Sequence, residues 1–369
     1  MVARQAVVAG FLRSASGLYV GTMHVLVTGG AGYIGSTLVP LLLDMGHRVT
    51  VVDRFFFGEE SLARARQAYP EKVALFRADV RALEPDLFRG VDAVVDLAGI
   101  SNDPSCELAP ELTREINLEG SARVARLAES AGVERLVFAS SCSVYGHGQN
   151  EKLTEDSPKH PVSLYAHCKA EAEERLFALC RERDFCGTAL RFATIFGVSG
   201  RMRFDLAVNV MSKNAYVSRK ITVDGGGRQW RPFVHVRDVG DCICRLLQAP
   251  RELVRGKVFN VGSNPNNVRI VNLAYRVRDH VPGTEVVMAP TDPDLRDYHV
   301  SFDRIARELD FVPSRSVDHG IEEVLEALRD GSIDPDDRRG YTLRQYQFLA
   351  EVERTYRALA LSGHLLSGP

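Results

Sequence analysis

The chain has no strong charge of either sign, no long apolar run and no ordered cysteine spacing, and each lack excludes something. Forty-six lysines and arginines stand against 48 aspartates and glutamates, a formal net charge of −2. No basic excess therefore points to nucleic acid as a partner. No apolar stretch approaches the ~20 residues that span a bilayer, so no membrane partner is expected. The seven cysteines, at 106, 142, 168, 180, 186, 242 and 244, are scattered and odd in number. The one close pair, Cys242 and Cys244, is followed by no histidine at ligand spacing, so no metal site is expected. Free thiols in a reducing cytoplasm are the simplest reading, and the expected location is cytoplasmic. Internal repeats and low-complexity tracts are also lacking. The composition that remains, 45% hydrophobic and 25% charged over 369 residues, is ordinary for a globular chain of one large domain or two joined ones.

What is present begins at Val25–Gly35, VLVTGGAGYIG. An apolar run ends in Gly29, Gly32 and Gly35, and a helix-compatible stretch, Ser36 to Met45, follows. The pattern predicts strand, tight turn and helix. The first glycine lets the turn close and the second lets the backbone approach a phosphate. The third lets the helix lie against the strand, with its free N–H groups facing the anion. The spacing is G-x-x-G-x-x-G rather than G-x-G-x-x-G, and a glycine triplet alone also fits a plain strand-to-helix turn. A second apolar strand, Arg48 to Val52, ends in Asp53. A carboxylate there accepts from a ribose 2′-OH and repels a 2′-phosphate, which favours NAD over NADP. Arg54 beside it leaves that choice open, since a guanidinium offers a 2′-phosphate a partner.

Further strands are expected at 73–76, 93–97, 135–139 and 188–192, alternating with helices at 59–68, 109–131 and 164–183. Almost continuously apolar strands alternating with helices predict a parallel sheet covered on both faces. The expected fold class is thus α/β, a Rossmann-like doubly wound parallel sheet with a smaller C-terminal α/β domain. Residues 1–22 are expected to be a poorly ordered extension, and 23–190 the dinucleotide-binding half. Residues 191–333 form a less regular second half, and 334–369 a helical arm, a packing element or an oligomer contact. Gln149–Val162, polar with two prolines, is expected to be a loop.

Tyr165 and Lys169 lie four apart and project from one face of a predicted helix. A tyrosine is a poor base at neutral pH, with a free pKa of about 10. A neighbouring ammonium stabilises the phenolate and lowers that value. Ser141 closes the preceding strand and is placed to donate a hydrogen bond to the same substrate oxygen. Alone, Tyr-x-x-x-Lys fits any exposed helix face; downstream of the glycine turn and of Ser140-Ser141 it forms a combination.

Thr28-Gly29-Gly30-Ala31-Gly32-Tyr33-Ile34-Gly35, Asp53, Asp79-Val80, Leu97-Ala98-Gly99, Asn117, Ser141, Tyr165 and Lys169 together resemble the extended short-chain dehydrogenase/reductases, in particular the NAD-dependent nucleotide-sugar epimerases and dehydratases. The resemblance implies a cofactor site of Gly29, Gly32, Tyr33, Ile34, Gly35, Asp53, Arg54, Asp79, Val80, Leu97, Ala98, Gly99, Asn117, Tyr165 and Lys169. It implies Ser141, Tyr165 and Lys169 as the catalytic set. Arg231-Pro232-Phe233-Val234-His235-Val236-Arg237-Asp238 is similar to the family's substrate segment, which makes 191–333 the nucleotide-sugar-binding region. Arg231 and Arg296 are then the two guanidiniums that hold the diphosphate, with Ser141 and Thr194 also on the substrate. Relatives dimerise through the helices carrying Asn117 and Tyr165, so a homodimer is expected.

The departures narrow the reading. Dehydratases of this family place Asp-Glu after the serine, and decarboxylating members a Glu; here those positions hold Cys142 and Ser143. Neither does general acid–base work as a carboxylate does. A Ser–Tyr–Lys set without them suffices to take a proton and a hydride from a carbinol and return both. The expected function is therefore an NAD-dependent epimerase inverting C4 of a UDP- or dTDP-sugar. A ketoreductase, a dehydrogenase or a 4,6-dehydratase stays open, as does a non-catalytic NAD-binding protein. Asp96 stands where the family commonly has a histidine, and the sequence offers no reason.

Overall fold

The computed structural model describes residues 21–290 and 296–361. All but the last two residues of the expected extension 1–22 lie outside the described residues, as do Asp294, Leu295 and the end of the C-terminal arm.

Seven parallel strands form the main sheet. From one edge to the other they are Val258–Val261, Gly187–Phe192, Arg135–Ser141, Ala93–Asp96, His24–Thr28, Arg48–Asp53 and Val73–Arg77. The strands read as apolar runs because helices cover both faces. Val25, Leu26, Val27, Val94 and Val95, for example, are fully buried. From His24–Thr28 the chain builds outward first to Arg48–Asp53 and later, on the other side, to Ala93–Asp96. That reversal opens a crevice beyond the carboxyl ends of these strands, where ligands bind in such sheets.

The two halves share this core. The edge strand Val258–Val261 comes from the second half, and helix Val236–Gln248 packs on helix Gly35–Asp44 so closely that a Cβ on Gly240 would meet the Leu41 side chain. Around the sheet's carboxyl end the second half builds a small sheet from Thr194–Phe196, Trp230–His235 and Asn267–Arg269. Its own core holds Phe196, Phe233, Leu273 and Ile321.

Two elements differ from expectation. The helix expected over 109–131 runs as Pro110–Arg114, a π-helical turn Glu115–Gly120 and Ser121–Ser130. The wide turn points Asn117 inward, where its amide donates to Ile100 O at 2.9 Å and accepts from Ile100 N at 2.8 Å. Such turns mark functional sites. The expected loop after Gln149 contains part of a strand, His147–Leu153, which pairs in parallel with Asp297–Val300. Its partner lies so far along the chain that no local pattern announces it. The last helix, Thr342–Leu359, lies within the expected C-terminal arm. No helix among the described residues is long and apolar enough to cross a membrane.

Candidate active site

The glycine turn is shaped by what a side chain would hit. Gly29 has φ +65°, and a Cβ there would lie 2.8 Å from Ala98 N. Only glycine both takes that conformation freely and lets the strand ends Thr28 and Leu97-Ala98 close on one another. A Cβ on Gly35 would collide with the Gly30 backbone, so the third glycine seats the helix. Helix Gly35–Asp44 starts at Ile34 with no side-chain cap. Its first N–H groups and its dipole thus face the crevice, and the cradle fits a dinucleotide diphosphate.

The other cofactor candidates surround this turn. Asp53 accepts from Ala31 N at 3.0 Å and Phe55 N at 2.7 Å, which ties the turn to the next strand end. Burial raises its pKa, opposed by those backbone bonds and by Arg201. Arg54 pairs with Asp79 at 2.8 Å, so its guanidinium is held by the carboxylate that precedes Val80. Arg81 also grips Asp79, and its guanidinium holds that carboxyl at a pKa of about 2. A cavity of about 600 Å³ opens here, lined by Arg54, Asp79, Arg81, Glu115, Gly120 and Arg123. Val80 is buried against Gly120. Asn117, by clamping Ile100, fixes the path of Leu97-Ala98-Gly99, and a Cβ on Gly99 would stand 3.0 Å from the Asn117 amide oxygen. Tyr33 is a strut between the halves: its hydroxyl donates to Gly197 O at 2.6 Å and accepts from Asn209 at 3.1 Å.

Ser141, Tyr165 and Lys169 come together at the end of strand Arg135–Ser141. Helix Leu164–Glu182 begins at Ser163, whose hydroxyl accepts from Ala166 N. Its first turn carries Tyr165 to the crevice beside Ser141, whose hydroxyl favours the phenolate. Lys169 is buried below, its ammonium 5.9 Å from the Tyr165 ring centre, 4.7 Å from that of Phe138 and near Gly99. Burial pushes the Tyr165 hydroxyl above the ordinary tyrosine range, and Cys106 and Asp103 add to this. Arg203, brought in from the second half, opposes it together with Ser141. In the protein itself, then, burial outweighs the acidification expected of this tyrosine.

Asp96, unexplained by sequence, sits fully buried at the end of its strand, and Thr28 donates to it at 2.6 Å. Thr28 in turn accepts from Ala98 N at 3.2 Å. Burial lowers the Lys169 pKa, and the Asp96 charge is the largest influence raising it. Removing that charge in Asp96→Asn lets the pKa of Lys169 fall further. If turnover needs the ammonium, activity is lost as pH rises through that value, so the alkaline limb of the pH–rate profile moves to lower pH. An alkaline limb in the same place would mean that Asp96 does not act through Lys169.

On the far side of the crevice Arg231 is buried, donates to Trp230 O at 2.9 Å and to Arg296 O, and lies over the Tyr298 ring. Arg296 pairs with Asp103 at 2.9 Å, at the start of helix Asp103–Leu108. The two arginines are neighbours, and Asp103 links them to the Tyr165 side. Thr194 is half-buried on its short strand, beside Phe233 in the register. Cys142 is buried and donates to Arg191 O at 3.2 Å, away from the crevice.

Sequence reading missed a buried network behind the serines. Arg191 donates to both oxygens of Glu173, at 2.9 and 2.7 Å, and Ser140 donates to the same carboxylate at 2.6 Å. Arg191 also reaches the Tyr145 hydroxyl, which donates to Asn260. Glu173 lies two turns beyond Tyr165 on a helix face facing the sheet, a periodicity signal that a polar residue does not raise. Among the described residues no cluster of side chains could hold a metal ion.

Residues 25–262 match the model of a family described as "NAD dependent epimerase/dehydratase family". The UDP-glucose 4-epimerase of Lactobacillus helveticus is 29% identical over 74% of this chain and 87% of its own. UDP-glucuronic acid decarboxylase 1 of Danio rerio is 33% identical over 74% of this chain, which spans 65% of that protein. A solved structure of MoeE5 in complex with UDP-glucuronic acid and NAD superposes with a TM-score of 0.72 at 26% identity, over 84% of this chain and 100% of that one.

Proposed function

The chain belongs to the NAD-dependent epimerase/dehydratase family, and from that premise we propose that it is a nucleotide-sugar 4-epimerase acting on a UDP- or dTDP-sugar. Bound NAD would supply the hydride acceptor and donor for reversible oxidation at C4. Tyr165 takes the proton from the C4 hydroxyl and later returns it, while Ser141 donates to the same oxygen. Lys169 holds the nicotinamide ribose and keeps positive charge under the phenolate. Arg231 and Arg296 anchor the diphosphate, about which the 4-keto sugar turns before its other face is reduced. Two guanidiniums on one diphosphate give the charge-assisted, directional grip that such a turn needs.

The observation that carries the epimerase reading is the pair of positions after Ser141. Cys142 faces the core through its bond to Arg191 O, and Ser143 donates its N–H back to Ser141 at 3.1 Å. Neither supplies a carboxylate to expel water or assist loss of carbon dioxide. The remaining hydroxyl–phenol–ammonium set supports reversible oxidation alone. Purified protein incubated with UDP-glucose, UDP-glucuronate, UDP-GlcNAc and dTDP-glucose is expected to convert at least one to its 4-epimer, read by proton NMR of the sugar. A 4-keto-6-deoxy product or a pentose would overturn the reading. Stoichiometric NADH formation at 340 nm would favour a dehydrogenase.

Seven buried, unbridged cysteines fit a reducing cytoplasm. A homodimer through the helical segment 110–130, which carries Asn117, and helix Leu164–Glu182, which carries Tyr165, is expected. Light scattering at twice the 40.8 kDa chain mass is expected.

A further inference from the structure

The segment Gly197–Asp205 lies directly on the first turn of the glycine-turn helix. Ser199 donates to Tyr33 O at 2.6 Å and is bonded to Ser36 and Thr37 at 2.8 and 2.9 Å. Arg201 N donates to Ser36 at 3.0 Å. From there the Arg201 side chain runs over the Phe57 ring, 3.7 Å from its centre, and donates to Thr342 at 3.0 Å. Arg201 is 6% exposed, its Nε has no hydrogen-bond partner, and it makes no ion pair among the described residues. Its neighbour Arg203, by contrast, is bidentate to Asp205, at 3.0 and 2.8 Å. Phe57 follows closely on Asp53, so the guanidinium over its ring lies near the end of strand Arg48–Asp53. Burial and Arg203 lower the Arg201 pKa to about 10, so it still carries its charge at neutral pH.

A buried cation without an ion pair beside an uncapped helix N-terminus is two positive features together, opposed at a distance by the charges of Asp205 and Asp53. The anion that belongs between a glycine turn and Asp53 is the diphosphate of a dinucleotide. The C-terminal helix completes the arrangement. Gln345 donates to Phe56 O at 2.7 Å, Tyr346 packs edge-on against Phe57 at 5.5 Å, and Thr342 holds Arg201. We propose that Arg201, set in place by Thr342 and Phe57, closes on the diphosphate of NAD, so that the C-terminal helix serves to retain the cofactor. The proposal rests on the NAD site but not on which reaction that site performs. It accounts for two features at once: a buried guanidinium with no ion pair among the described residues, and a last helix, Thr342–Leu359, whose buried residues are Thr342 and Gln345.

The test is calorimetric binding of NAD⁺, ADP, adenosine and UDP to the full chain and to three variants. Arg201→Met is expected to bind NAD⁺ and ADP about ten- to a hundredfold more weakly, the usual range for a lost charge-assisted bond. Adenosine, which has no diphosphate, is expected to bind unchanged. Arg201→Lys should recover part of the loss. Thr342→Val should weaken NAD⁺ and ADP by a smaller factor and speed NAD⁺ release in a dilution chase. If Arg201→Met is not folded, the lysine and valine variants decide alone. Equal weakening of adenosine, or a loss confined to UDP, would overturn the proposal. NAD⁺ retention that depends on Arg201 in a protein that epimerises nothing would leave it standing and remove the epimerase reading.

Discussion

Tyr165→Phe is expected to lower sugar-nucleotide turnover by about 10²- to 10⁴-fold, the span that one positioned acid–base group contributes. The phenylalanine keeps the ring that Lys169 underlies and removes only the hydroxyl beside Ser141. Ground-state binding of the diphosphate is therefore expected to stay within a few-fold, because Arg231 and Arg296 lie across the crevice, away from the removed hydroxyl. The split matters: a fall in kcat with KM nearly unchanged marks a group that acts on the reacting atoms. Steady-state kinetics on whichever sugar nucleotide turns over would check it. A variant that turns over at the parent rate would leave a nucleotide-binding shell without the proposed chemistry.

The largest expected effect on stability is at Glu173. Its carboxylate is fully buried and receives Arg191 twice and Ser140 once. Glu173→Ala strands the Arg191 guanidinium, 4% exposed, with Tyr145 and the Glu155 carbonyl as its remaining partners. Breaking one side of a buried pair costs about 3–5 kcal/mol, since the surviving charge stays desolvated. The urea midpoint is the measurement, with the slope checked for a change in the unfolding transition. Replacing both residues, Glu173→Leu with Arg191→Met, is expected to recover much of the loss, because the guanidinium is then no longer stranded without its carboxylate. If the single and double variants are equally unstable, packing rather than charge holds this region. Because Ser140 precedes Ser141, the single variant is also expected to lower activity more than the double.

Asp79 works in the opposite, surface regime. Its two arginines lower its pKa, so the stability it adds is present above the ordinary carboxylate range. That contribution is lost only as pH falls towards about 2. Partial exposure of both arginines makes it small.

Much of this protein is written locally. Val25–Val27 followed by spaced glycines sets strand, turn and helix, because a side chain at Gly29 or Gly35 has nowhere to go. The continuously apolar strands predict a sheet covered on both faces. Tyr165 and Lys169 share a helix face by the arithmetic of 3.6 residues per turn. Tertiary structure decided what depends on residues far apart in the chain. It paired His147–Leu153 with Asp297–Val300 and added Val258–Val261 to the first sheet. It opened the helix at Asn117 so that one amide clamps Ile100, and it gave Asp96 a role by setting its charge near Lys169. It also carried Arg201 and Arg203 to the glycine turn and to Tyr165. The physical reason is common to all of these: a buried polar group is defined by the partner that satisfies it, and that partner is chosen by the fold, not by the neighbouring sequence.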